Sequence, residues 1–444
     1  MRVLALDIGS SSVRALVFDE RGEHVEGAEA QTKYESVDPD TLVEATRSTL
    51  EGARPAGQCD AVAASCFMHS LVAVDGRGRA ISPLLPWRDQ RAAKQARRLA
   101  ARIDPEEVHA RTGCVLHPSY WPAKLAWLRE ELPETFAEAE RFLSFSDYLY
   151  GALLGDTKTS LSMASGTGLV DLDALTWDER LLELLELTPE QLPEITYEPV
   201  GTEEPWFPAL ADGACSNLGS GCTTRERAAL MVGTSGAYRV LYQAGRAEPR
   251  PGLFCYRVDD RRVVEGGALS DGGNLFAWLE RTLAETDAEG IAEREPAGHG
   301  LTFLTLLGGE RSPGWRPDAR GAITGLRFQT TPQDLLQAAL EGVAYRFAEI
   351  AELLPEVQEV VATGHALLAD PDWIQILADV LERPITASAV PEGSARGAAA
   401  VALERLGASP EPAVLGKAYA PRPDRAGAHR AARERQRELY RTLA

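Results

Sequence analysis

The chain opens on a short apolar run, Val3-Leu4-Ala5-Leu6, carried through Asp7 to Ile8. It breaks at Gly9-Ser10-Ser11-Ser12 and resumes as a second apolar run, Val13 to Phe18. Two strand-length runs around a tight turn of small residues predict a β-hairpin. No helical pattern follows Gly9, which sets this turn apart from the strand–loop–helix unit that binds dinucleotides, and GxxxxGK[ST] occurs nowhere in the chain. The hairpin pattern returns about half the chain later. There Gly233 falls on Gly9, Thr234 on Ser10 and Ser235 on Ser11, inside the run from Ala229 to Leu241. A repeat at this distance predicts a duplicated domain, each copy turning its hairpin tip toward one cleft.

Strand-like and helix-like stretches alternate through the remainder. Residues 59–67 and 71–74 read as strands, and residues 91–102, 125–132 and 177–187 have helical spacing. In the second half, Thr331-Pro332-Gln333-Asp334 supplies a cap residue, a proline at the first helical position and an acid in the first turn of a long helix reaching 354. Residues 356–363 form a buried-strand pattern that ends at Gly364. They are followed by a helix at 373–381, a strand at 384–387 and an alanine-rich helix at 395–406. The Arg/Glu-rich tail, 428–440, reads as a solvated terminal helix. Both halves are therefore α/β, with the domains placed at 1–221 and 222–444. Gly213, Gly219 and Gly221 predict a hinge over 213–225.

Charge narrows the partners. The 46 Lys and Arg stand against 66 Asp and Glu, a formal charge of −20 over 444 residues. Such a surface repels polyphosphate, which argues against a nucleic-acid partner. A small anion is a different case, because backbone N–H groups at a tight turn supply the field locally. Six cysteines without a CxxC pair or a Cys/His cluster read as free thiols. No basic leader precedes the first strand, and no run approaches the roughly 18 apolar residues of a membrane span. The expectation is a cytoplasmic protein with no membrane partner, either monomer or homodimer.

Candidate chemistry gathers at three places. The tips Gly9-Ser10-Ser11-Ser12 and Gly233-Thr234-Ser235-Gly236 aim amides and hydroxyls at a point, as an anion cradle requires. Asp7, at a strand end beside the first tip, is placed to hold a hydrated Mg²⁺. It reads equally as a turn-capping acid. Asp212 opens the small, polar, Gly-rich stretch before the second hairpin, where it could accept a hydroxyl proton or cap a short helix. The third place is Phe67-Met68-His69-Ser70 with Pro86-Trp87-Arg88-Asp89-Gln90-Arg91. These residues combine an aromatic face with directional polar groups, as a polyol or sugar-acid pocket needs, although each alone reads as structural.

With these features in place, the chain resembles the FGGY carbohydrate kinases, sugar kinases of the actin-like ATPase superfamily. The resemblance runs from about Val3 to Leu406. It is most specific in Gly321-Ala322-Ile323-Thr324-Gly325-Leu326, Asp334-Leu335 and Ala338 to Arg346, and continues in Ala362-Thr363-Gly364, Trp373 to Asp379 and Ser394 to Ala399. It implies two RNase-H-like domains closing a central cleft on ATP–Mg²⁺ and a sugar. Asp212 then matches the catalytic base and, with Asp7, the metal side. The two tips match the phosphate loops, Gly364 with His365 the adenosine motif, and His69, Trp87 and Asp89 the sugar side. Ser160 to Gly168, Glu265 to Asn274 and Gly309 to Trp315 look most like gluconate kinases. The pattern departs from the family where His365 and Ala366 replace two glycines, and where Trp121 stands before Lys124-Leu125-Ala126-Trp127-Leu128.

The reading is an ATP-dependent kinase of a small sugar or sugar acid, with gluconate favoured. Xylulose, ribulose and glycerol are the alternative acceptors. A non-kinase actin-like ATPase and a sugar-binding member without activity are the alternatives of another class. A carboxylate ligand inside so acidic a protein needs local positive charge, and the residues beside Trp87 that could supply it are Arg88 and Arg91, with donors from 162–168.

Overall fold

The computed structural model describes residues 1–35, 38–54, 59–201, 204–283 and 287–443. The first half is built on five strands: β1 (Arg2–Ile8), β2 (Ser12–Asp19), β3 (His24–Lys33), β4 (Ala61–Cys66) and β5 (Leu210–Ala211). They lie in the order β3-β2-β1-β4-β5. β1 runs antiparallel to β2 and parallel to β4, and β4 runs parallel to β5.

The second half repeats this plan and extends it. Its strands are β6 (Arg227–Val232), β7 (Gly236–Gln243), β8 (Phe254–Arg257), β9 (Arg262–Leu269), β10 (Glu359–Thr363), β11 (Ile385–Ser388) and β12 (Leu415–Tyr419), in the order β8-β9-β7-β6-β10-β11-β12. The central β9-β7-β6-β10-β11 carries the same succession of antiparallel and parallel pairings as β3-β2-β1-β4-β5. The two hairpins read from the sequence are β1–β2 and β6–β7, at equivalent places in the two sheets. Val3 to Leu6 are buried, as central strands covered on both faces must be.

Six helices matter for the site: α1 (Trp121–Glu131), α2 (Asp212–Gly219), α3 (Gly273–Thr282), α4 (Pro332–Glu352), α5 (Gly393–Arg405) and α6 (Pro423–Leu443). α4 begins as its sequence predicts. The Thr331 hydroxyl accepts from Asp334 N–H and the Asp334 carboxylate accepts from Thr331 N–H, a reciprocal cap ahead of Pro332. The helix packs through Leu340, Val343, Phe347 and Ile350 in the core of the second half.

One expectation is corrected here. α6 is not simply solvated: Ala426, His429, Ala432 and Gln436 are buried, and Gln436 Nε2 donates to Phe303 O and Gly342 O. Its inward face is small and polar, so hydropathy alone could not mark it. Of the three glycines placed in the hinge stretch, Gly219 lies in a close helix–helix seam, Gly213 faces the Arg239 side chain and Gly221 lies against Ala413. A Cβ on Gly219 of α2 would collide with the carbonyl of Gly393, and one on Gly397 of α5 with the carbonyl of Cys215. Helix α5 thus returns from the second half to cover the first sheet, where Ala395, Ala398, Ala399 and Ala402 pack on Val3, Ala5, Ala61 and Ala63. The six cysteines are buried free thiols, and no helix among the described residues is long and apolar enough to cross a membrane.

Candidate active site

Asp212 is the first residue of α2, directly after β5, so the strand end and the helix start fix its position together. The neighbouring stretch holds it in place: Ala211 N–H donates to Ser162 Oγ, and Ser160 Oγ donates to Ala209 O at 2.5 Å. The Ser160 and Ser162 hydroxyls therefore brace the approach to Asp212, while Ser165 Oγ accepts from Arg257 N–H and Thr167 Oγ1 donates to Ala164 O. Asp212 is half-buried on the wall of a cavity partly open to solvent, whose walls include Phe67, His69, Trp87, Ser235, Gly236, Arg239, Tyr256 and Arg311. Burial lifts its carboxyl above the ordinary carboxylate range. Arg239, the 2.7 Å bond from Gly213 N–H and, more weakly, Arg311 pull the other way. A carboxylate made more basic by burial, with a cation beside it, is suited to take a proton from a hydroxyl.

Asp7 pairs in register with Ser65 and Arg14, at the inner end of β1. Burial first, then the Glu392 and Asp212 carboxylates, push its pKa up to about 7. Arg14 offsets this, 3.9 Å from Asp7 and 3.3 Å from Glu392, and so joins the first sheet to the start of α5. Three acids around one small volume favour a bound cation. Yet no group of three or more His, Cys, Asp or Glu forms a metal cage among the described residues. The residues fit an ion that keeps most of its ligands as water and phosphate, as Mg²⁺ does.

Both tips are closed by a backbone bond from their first glycine, the second over one residue fewer. Gly9 N–H donates to Ser12 O at 2.9 Å, and Gly233 N–H to Ser235 O at 3.0 Å. Their glycines differ in cause. A Cβ on Gly236 would meet Phe347 of α4 at 2.5 Å, so packing requires that glycine. Gly233 has ordinary space around it, the nearest atom being Met231 Sδ at 3.7 Å. Gly364 follows β10 at φ +87°, where a Cβ would strike the backbone of Val232. His365 is exposed beside it, while Ala366 lies against Gly273 at the head of α3, whose N–H donates to Gly233 O. The adenosine-motif turn and the second tip are therefore neighbours.

On the sugar side, His69 holds a left-handed backbone, φ +67°, unusual for a residue with a Cβ. Its Nδ1 lies 2.6 Å from Gly166 O. A carbonyl only accepts, so Nδ1 carries the proton and Nε2 keeps its lone pair. Burial and the charges of Arg311 and Lys124 keep the ring neutral. Lys124 Nζ donates to His69 O and Leu85 O, tying together the two segments that carry His69 and Trp87. Burial, opposed by Asp89, lowers its pKa to about 7. The structure does not bring Asp89 to this cavity wall: its carboxylate takes the N–H, Nε and Nη2 of Arg91. Arg88 and Arg91 are exposed, and Arg91 stacks on Trp127, so neither supplies the cavity's charge.

That charge comes from Arg239 and Arg311. Arg239 left a signal in the sequence, a lone cation inside the otherwise apolar run of β7. Arg311 left none, because a loop and tertiary packing bring it in. Tyr256, whose hydroxyl pairs with that of Tyr120 at 2.6 Å across the two halves, was equally invisible.

Residues 2–201 match the FGGY family of carbohydrate kinases, N-terminal domain, and residues 228–404 the C-terminal domain of that family. A gluconokinase of Bacillus subtilis (strain 168) is 28% identical over 450 aligned residues, covering 91% of this chain and 88% of that one. The crystal structure of a gluconate kinase from Lactobacillus acidophilus superposes with a TM-score of 0.89 at 26% identity, over 100% of this chain and 98% of that one. A xylulose kinase from Lactobacillus acidophilus gives 0.90 at 27% identity, with the same coverage.

Proposed function

The chain belongs to the FGGY family of carbohydrate kinases, and from that membership we propose that it transfers the terminal phosphoryl group of ATP to a hydroxyl of gluconate or a closely related sugar acid. The observation that carries the substrate choice is the cavity itself. Two buried guanidinium groups face it, inside a protein of net charge −20, and a carboxylate ligand would balance them. The gluconate-named relatives support the same choice. Xylulose, ribulose and glycerol are the alternatives.

In this reading the lobes are 1–221 and 222–444, with α5 crossing back between them. The sugar lies between His69, Trp87 and Asp212, with Asp89 behind the rim. His69 Nε2 accepts from a sugar hydroxyl. Asp212 accepts the proton of the attacking hydroxyl as the oxygen–phosphorus bond forms and the bond to ADP breaks. The transition state is loose, so positioning and charge neutralisation carry most of the acceleration. Amides and hydroxyls of Gly9, Ser10, Ser11, Ser12, Gly233, Thr234, Ser235 and Gly236 hold the phosphates. Gly364 and His365 border the nucleoside. Mg²⁺, when bound, neutralises phosphate charge; Asp7 and Asp212 are the residues that would hold it, through water.

Two measurements test this. Scored by kcat/KM, gluconate should exceed xylulose and glycerol by at least about tenfold, within reach of one charge-assisted hydrogen bond. A ketose or polyol ahead of gluconate overturns the substrate reading and leaves the kinase standing. Gly233→Val should raise the KM for ATP at least about tenfold while sugar binding stays measurable. The structure leaves room for the side chain, so any loss reports on what enters the tip. Unchanged nucleotide affinity by calorimetry reduces the tip to a turn.

A further inference from the structure

We propose that Arg311 is the carboxylate anchor of the acceptor site: a cation carried by the second lobe that selects polyhydroxy acids over neutral sugars of the same length. This deepens the sugar-acid reading above and rests on it.

Arg311 belongs to the loop that follows Gly309 and lines the same cavity as Trp87, His69 and Asp212. It is 9% exposed, and its Nε has no partner. The guanidinium makes no ion pair or hydrogen bond among the described residues. The adjacent acid is already taken: Glu310 is engaged by Arg346 and by the Tyr440 hydroxyl. Asp271 lines a small pocket with Arg311 but accepts from Gly308 N–H and does not pair with the guanidinium. The Trp87 ring lies under the cation, 5.1 Å from its centroid. Such stacking fixes the plane of the guanidinium and leaves its edge free for a carboxylate.

The other charges facing Arg311 make an anion more necessary. His69 and His117 are held neutral, in part by Arg311 itself; Lys124 and Arg239 add positive charge; Asp212 is the acid on the cavity wall. A buried cation left without a counter-ion is strongly unfavourable. Arg239 is a poorer candidate for the role. Its Nε already donates to Asn217, and it is the cation that acts most strongly on Asp212, at the reacting end. A flat carboxylate meeting a planar guanidinium edge makes two parallel hydrogen bonds, a geometry that a neutral hydroxymethyl or ketone group cannot reproduce.

The experiment compares gluconate with glucitol, the neutral polyol of the same length, for the full-length enzyme and its Arg311→Gln and Arg311→Lys variants at saturating ATP. The ratio of kcat/KM for gluconate to that for glucitol should be well above one in the parent enzyme. It should fall at least about 30-fold in Arg311→Gln, mainly through KM for gluconate. Arg311→Lys, which keeps the charge and loses the paired geometry, should recover part of the ratio. Should the Gln variant not fold, the Lys variant alone carries the comparison, with a loss of about tenfold confined to gluconate. Equal losses on both acceptors, or an unchanged ratio in a folded variant, overturn the assignment of Arg311 while the gluconate reading stands. A parent enzyme with no preference for gluconate overturns both.

Discussion

Asp212→Asn is expected to lower turnover by about 10²–10⁴-fold while the KM for the sugar acid changes little, the range that removal of a general base produces. Asparagine keeps the shape and the bond from Gly213 N–H but cannot take a proton. Sugar affinity should survive because His69, Trp87 and Arg311 lie elsewhere on the cavity wall. Burial raises the Asp212 carboxyl, so the acid limb of the pH–rate profile should lie above the ordinary carboxylate range. It should move higher still in Arg239→Gln, which removes the positive charge that most strongly opposes that rise. Near-normal turnover in Asp212→Asn would remove Asp212 from the base role. An acid limb that does not move in Arg239→Gln would detach the arginine from it.

Asp7→Asn should separate activity from stability. Turnover should fall by at least about a hundredfold, because the residue proposed to sit beside the metal loses its charge. The fold should gain. The Asp7 pKa is pushed up to about 7 in the native protein by burial and by Glu392 and Asp212, so between about pH 4 and 7 the folded state binds this proton more tightly than the unfolded chain does. Native stability therefore declines as pH rises through this window, and at pH 8 the ionised group destabilises the fold by something on the order of 2–4 kcal/mol. Asparagine removes that cost. Without divalent cation, Asp7→Asn should melt higher than the parent at pH 8, and the gap should close toward pH 4.5. Addition of Mg²⁺ and ATP should raise the parent's Tm more than the variant's. A variant that melts lower at pH 8 would mean that the carboxylate, charged, is holding the fold together.

Period and punctuation in the sequence were enough for the architecture. The alternation around Gly9 and Gly233 made both hairpins visible, and Thr331-Pro332 marked the start of α4, because these signals are local. The acids were legible for the same reason: Asp7 and Asp212 stand at strand ends beside glycine-rich turns. The cavity's cations were not. Arg88 and Arg91 are next to Trp87 in the chain yet turn to solvent, whereas Arg311, more than two hundred residues further on, reaches Trp87 through a loop. Sequence proximity stands in poorly for a pocket wall assembled from two lobes. Glycines carry a second meaning that the sequence hides. Gly219 in the hinge stretch and Gly236 in the second tip are also required by close packing, against the Gly393 carbonyl and Phe347, and only the neighbours reveal that.

The return of α5 bears on how the molecule can be taken apart. Residues 202–227, between the two family-matched segments, look like a natural cut, yet the alanine face of α5 is what shields Val3, Ala5, Ala61 and Ala63 from water. A fragment ending at residue 221 would expose that whole face of its central sheet, together with the unsheltered glycine side of α2. The first half is thus not expected to fold on its own. During synthesis its sheet should lack this cover until the ribosome has released the alanine-rich helix near residue 400, leaving an apolar face open to aggregation or to a chaperone in that interval.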